Sequence, residues 1–135
     1  MAVDGITEIG PETEGMWNVD GKPVIRLILP KAPSANRYFR VYRGRAVKST
    51  EARTYIATVR GIAKALRVKP IEGEVALSVH WYRGAKRGDL DNTLKVLGDA
   101  LNGVAYQDDR QVAKITMERT DGETPERVEV MVWKL

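Results

Sequence analysis

Hydrophobic and polar positions along the chain fall into segments of two different periods. Val24–Leu29 (VIRLIL) is a nearly unbroken apolar run of strand length, which predicts a buried strand, and Pro30 ends its ladder. Residues 31–37 (KAPSANR) read as loop, and Tyr38–Val41 and Arg45–Lys48 flank Tyr42-Arg43-Gly44 as a short hairpin. The period then changes. Tyr55, Ile56, Val59, Ile62, Ala63 and Leu66 recur at helical spacing, predicting a helix to about Val68. Ser49 or Thr50 supplies its cap, Glu51 an acid in the first turn and Pro70 the stop. Residues 74–82 (EVALSVHWY) alternate Val75, Leu77, Val79 and Trp81 with Ala76, Ser78, His80 and Tyr82, the period of a half-buried strand. A second helix is predicted from about Asp91 to Asn102, with Leu90, Leu94, Leu97 and Leu101 on its apolar stripe and Gly103 just past its end. Gln111–Glu118 and Arg127–Trp133 predict two further strands joined by a polar turn around Asp121-Gly122. Residues 1–22 are Gly-rich, acidic and aperiodic, with Trp17 as their one large anchor. They are expected to form a flexible arm with a short strand near Met16–Val19. The order strand, hairpin, helix, strand, helix, strand, strand predicts an α+β fold. Residues 23–135 are expected to form a single domain, a mixed β-sheet with two α-helices packed on one face.

Composition removes several function classes. The chain has 135 residues, room for one domain, and no cysteine. That excludes a disulfide framework, a thiolate zinc site and a cysteine nucleophile. One histidine, His80, leaves no His-cluster metal site and a poor basis for a Ser-His-Asp triad; on the polar side of its strand it reads as structural. No apolar run approaches the ~18 residues of a membrane span, and the N-terminal residues show neither a basic nor an apolar signal region. A reduced, cytoplasmic setting with no membrane partner is expected. The net charge of +4 conceals an asymmetry: residues 1–22 carry a net −4 and residues 23–135 a net +8. Lys31, Arg37, Arg40, Arg43, Arg45, Lys48, Arg53 and Arg60 face only Glu51 across residues 31–60, and residues 83–88 (RGAKRG) add Lys86 and Arg87 in a basic loop. Such a body either favours a polyanionic partner or is simply a solvated basic face.

Carboxylates sharpen this picture. Asp89 and Asp91 lie two apart where a loop enters the second helix, and extended residues at that spacing point the same way. Asp108-Asp109 follow the helix. A helix from Asp91 to Asn102 rises about 18 Å. Residues 103–108, extended at ~3.3 Å each, span about 20 Å, enough to return Asp109 to Asp89 and Asp91. The sequence leaves open a carboxylate supplied from a second subunit instead. Unpaired carboxylates gathered at one point repel, and a hard divalent cation such as magnesium relieves the repulsion. Such a cation activates water and polarises a phosphodiester, while Lys95, four residues after Asp91, could neutralise charge growing on the phosphate. Each residue also has a structural reading. Asp89 or Asp91 can be a helix cap, Asp108-Asp109 a turn pair, and Lys95 a solvated partner of Asp91 or Asp99.

The run Asp89-Leu90-Asp91-Asn92, Lys95, Asp99-Ala100-Leu101-Asn102-Gly103, Asp108-Asp109 and Val112, with the earlier Pro33-Ser34-Ala35-Asn36-Arg37-Tyr38, resembles the signature of the RusA-type Holliday-junction resolvases. These are small endonucleases of bacteria and their prophages. The resemblance covers about residues 24–133. It implies a homodimer that binds four-way DNA junctions and cuts two opposed strands symmetrically with magnesium, or manganese as substitute, and no organic cofactor. It makes Asp89, Asp91 and Asp109 the metal-binding carboxylates, Asp108 an auxiliary acid and Lys95 the catalytic lysine. Asn36, Arg37 and Arg40 become DNA contacts, and Tyr38, Arg43, Arg45, Lys86 and Arg87 are further candidates for the DNA surface. Tyr38, Phe39 or Tyr42 could stack on unpaired bases at an opened crossover, or simply pack within the hairpin. The acidic arm and the loop before Asp89 depart from the family pattern. Two other functions fit the same residues: a non-catalytic basic DNA-binding module with an inactive site, and a metal-dependent nuclease or phosphohydrolase acting on flaps, other branched DNA or a nucleotide.

Overall fold

A computed structural model describes residues 14–33, 39–84 and 90–135, apart from the side chains of residues 39, 40 and 90–92. Its strands are β1 (Gly15–Val19), β2 (Lys22–Leu29), β3 (Phe39–Tyr42), β4 (Arg45–Lys48), β5 (Val75–Arg83), β6 (Val112–Asp121) and β7 (Arg127–Lys134). Its helices are α1 (Thr50–Ala65) and α2 (Leu90–Leu101). Five strands form one mixed sheet in the order β1-β2-β7-β5-β6, and β3 and β4 form a separate two-stranded sheet. The class is α+β, with both helices contributing to a single core.

Period two explains which face that core occupies. Leu77, Val79 and Trp81 of β5 lie in register with Val132, Val130 and Val128 of β7 and with Ile25, Leu27 and Leu29 beyond them on β2. All are buried, together with Ala52, Tyr55, Val59 and Ala63 of α1 and Val96, Leu97, Ala100 and Leu101 of α2. Ser49 caps α1 by accepting from the Ala52 amide at 3.1 Å. The helix stops at Ala65, earlier than the apolar spacing predicts, because Arg67 takes a left-handed conformation (φ 58°). The amides of Arg67 and Val68 then turn back to the carbonyls of Lys64 and Ala63, closing a Schellman motif with an arginine where glycine is usual. Leu66 and Val68 remain packed on the core without continuing the helix.

The short strand expected near Met16–Val19 is present, and two arrangements differ from the sequence expectation. Residues 15–19 are an integral edge strand: β1 pairs antiparallel with β2, Trp17 is 8% exposed, and Glu14 accepts from the Ile28 amide at 2.9 Å. The expected boundary between arm and body therefore falls beside the tight turn of a hairpin, where Asp20 and Gly21 both have positive φ. The rest of the expected arm, residues 1–13, lies outside the described residues. At the other end of the chain, β6 and β7 are not sheet neighbours, because β5 lies between them. Residues 122–126 cross over the end of β5. The Gly122 amide donates to the Arg83 carbonyl (2.9 Å), Arg83 grips Asp121 through two hydrogen bonds of 2.8 and 2.9 Å, and the Trp81 indole donates to Glu126 (3.2 Å). Asp121 is thus the last residue of β6, not the turn.

Among the described residues no helix is long and apolar enough to cross a membrane. Replacing Trp17 by alanine should lower unfolding stability by about 2–3 kcal/mol in urea titrations, the cost of removing a buried indole near a sheet edge. An unchanged midpoint would mean that β1 is detachable.

Candidate active site

The second pair of acids sits on a built turn. Asp108 caps a single 3-10 turn (Asp109–Gln111), accepting from the Arg110 amide at 2.9 Å, and Gln111 completes the capping box from the other side. Gln111 does more than close the turn. Its Oε1 accepts from the amides of Gln107 (2.8 Å) and Asp108 (3.0 Å), while its Nε2 donates to the carbonyls of Ile71 (2.8 Å) and Gly73 (2.9 Å). One amide side chain therefore fixes the acid-bearing turn to the segment that leads into β5. The hydrogen bond from the Arg110 backbone, helped by the Arg110 side chain, holds the Asp108 carboxyl below the usual aspartate range. Asp109 is exposed. Burial, and secondarily the charge of Asp109, push the Tyr106 hydroxyl up to about 12. Beside Tyr106, Asn102 carries a buried Oδ1 with no hydrogen-bond partner among the described residues.

The first pair lies elsewhere. Asp91 is in the first turn of α2; its side chain and all of Asp89 are outside the described residues. β5 and β6 are parallel neighbours, so α2 must run back along them before β6 can begin. At its far end the chain turns tightly instead of extending. The amides of Val104 and Ala105 donate to the Leu101 carbonyl, that of Gly103 to Tyr106, and that of Ile71 to Ala105. The expected return of residues 103–108 toward Asp91 does not occur, because these bonds fold that segment onto the start of β5. Asp91 consequently stands in the first turn of α2, and the Asp108-Asp109 turn lies beyond its last. Among the described residues no three Asp, Glu or His side chains gather closely enough to hold a metal ion. The donors themselves, carboxylate oxygens only, suit a hard divalent cation.

Lys95 is exposed, one helical turn beyond Asp91. On the next turn Asp99 pairs with Lys48 of β4 at 3.5 Å, tying the two-stranded sheet to α2. Arg43 and Arg45 are exposed at the tip of that sheet, and Arg40 lies in β3. Asn36, Arg37, Tyr38, Lys86 and Arg87 fall outside the described residues. His80 sits on the open face of the sheet, bonded to Thr120 (2.7 Å), close to Glu118 (3.4 Å) and stacked on Tyr82, a structural set of partners.

Gln111 escaped the reading of the chemistry-bearing residues, although Asp108-x-x-Gln111 has capping-box spacing. Arg83, read with the basic loop of residues 83–88, is instead the buried last residue of β5, held by Asp121, 38 residues away in sequence. Substituting Gln111 by leucine leaves two backbone donors and two carbonyls unmatched. It should cost about 2–4 kcal/mol of unfolding stability in urea titrations, with hydrogen-exchange protection lost first at residues 71–73 and 107–108.

The family model described as Endodeoxyribonuclease RusA matches residues 29–133. No curated protein matches the chain. That span takes in both helices, all of β3 to β6, most of β7 and both pairs of acids, and on it the chain belongs to the RusA endodeoxyribonuclease family.

Proposed function

We propose that this protein is a metal-dependent, structure-selective endodeoxyribonuclease that resolves four-way DNA junctions as a homodimer. One observation carries the reading: family-matched acids stand at opposite ends of one helix. A two-fold axis across which two α2 helices run antiparallel brings the start of one helix to the end of the other. Each site then combines Asp89 and Asp91 of one protomer with Asp109 of its partner. Two such sites form together or not at all, which suits symmetric cleavage of a two-fold substrate.

Within each site the acids would hold magnesium, with manganese as substitute. That ion supplies an activated water and stabilises charge on the phosphodiester. The chain's own residues set the geometry. Gln111 and the Asp108 cap fix the position of Asp109. Asp108, already accepting from the Arg110 backbone, has less capacity left for a ligand and serves as an auxiliary acid. Lys95 approaches from the same helix as Asp91 and offsets the growing phosphate charge. Arg40, Arg43, Arg45, Lys86 and Arg87, with Asn36, Arg37 and Tyr38, carry the DNA backbone, so binding falls steeply with added salt.

Asp91→Asn should retain binding to a synthetic four-way junction and lose magnesium-dependent cutting; retained cutting in a clean preparation overturns the site assignment. Complementation tests the shared site directly. Asp91→Asn and Asp109→Asn homodimers are each inactive, but their mixed dimer regains one intact site and nicks a single strand. Continued inactivity after verified subunit exchange would place all the acids of a site in one protomer. Lys95→Ala should lower the cleavage rate more than DNA affinity, measured by single-turnover kinetics beside equilibrium binding.

A further inference from the structure

Resting on the junction-resolving reading, we propose that the β3–β4 hairpin is a stacking wedge, with Tyr42 placed against a base unpaired at the branch point. The hairpin forms its own two-stranded sheet, and residues 41–46 are all exposed. Val41 is 80% and Tyr42 54% exposed, so Tyr42 does not pack within the hairpin. Isolated hairpins are marginal in water, and large apolar side chains left bare at a tip call for an occupant.

Charge selects that occupant. Residues 39–48 carry Arg40, Arg43, Arg45 and Lys48 and no acid. A second copy would bring the same cations to the same face, which repel; a polyanion neutralises them. The tip is also built for planar ligands. Arg43 lies over the Tyr42 ring at 5.3 Å, a stacked cation and aromatic of the kind that accepts nucleobases. Tyr42 pairs with Arg45 across a two-residue turn in which both Arg43 (φ 51°) and Gly44 (φ 74°) are left-handed, the geometry of a type I′ turn. Asparagine or glycine fits the Arg43 position with less strain, so the guanidinium is held there against local preference. Through Lys48 and Asp99 the base of the hairpin meets α2, the helix of Asp91 and Lys95, which relates a base taken up at the tip to the cleavage site.

The test uses full-length protein and a four-way junction carrying 2-aminopurine either at the branch point or in the middle of an arm. Wild-type protein should raise branch-point emission roughly twofold or more and leave the mid-arm probe unchanged. Tyr42→Phe should keep that response. Tyr42→Ala should abolish it and weaken junction binding roughly tenfold, with affinity for linear duplex held within about twofold. A wild-type response in Tyr42→Ala, or equal losses on junction and duplex, overturns the wedge and leaves a plain electrostatic surface. A changed dimer mass for Tyr42→Ala in sedimentation also overturns it, in favour of a contact between copies. Failure of the wild-type protein to bind or cut the junction at all defeats the resolvase reading instead.

Discussion

Two adjacent parallel strands cannot be joined by a turn, and that constraint shapes the rest of this molecule. Because β6 lies parallel to β5, α2 has to travel the length of the sheet in reverse before β6 starts. Leucines spaced along α2 then have a sheet face to cover, which gives the helix its buried stripe of Val96, Leu97, Ala100 and Leu101. The same reversal leaves Asp91 in the first turn of the helix and Asp108-Asp109 beyond its last. An antiparallel β5–β6 hairpin would have needed no helix and would have imposed no such separation. Fold and chemistry are linked here through connectivity more than through any single contact.

Where periodicity is strong, the elements were legible in advance. The alternation of residues 74–82, the helical spacing from Tyr55 to Leu66 and the apolar run before Pro30 each report a local geometry that burial enforces, and β5, α1 and β2 follow them. The cap at Ser49 was equally readable, since its serine needs no partner beyond the first turn. What the sequence left open depends on long-range pairing. Nothing local says that β7 inserts between β2 and β5, or that Arg83 and Asp121 meet. Residues 103–108 are long enough to span back along α2. Only the hydrogen bonds to Leu101, Ile71 and Gln111 decide that they do not. Length bounds what a segment can reach, and the backbone's donors and acceptors choose where it goes.

At the C-terminal end of β5 the structure concentrates its directional contacts. Arg83 is buried against Asp121, Trp81 is bonded to Glu126 and overlain by the ammonium of Lys31 at 5.8 Å, and Glu126 also pairs with Lys31. Tyr55 of α1 donates to the Pro30 carbonyl, next to Lys31, and its burial pushes the hydroxyl pKa well up. These bonds fix the strand from which the chain departs toward Asp89. At the opposite end Gln111 plays the matching part for Asp109. Both groups of acids are thus approached from anchored backbone, and two polar clusters carry out what a hydrophobic core, being non-directional, cannot.

Sheet order also governs how the molecule is sensed from a distance. β1, with Glu14 just before it and Asp20 just after it, forms one edge of the five-stranded sheet, and β6 forms the other. Four strand spacings of ~4.8 Å put those edges about 19 Å apart. Physiological salt screens charge over about 8 Å, so the charge of Glu14 and Asp20 is little felt at the β6 edge. Charges on the two edges of this sheet therefore act on an approaching ion separately, each within its own screening distance.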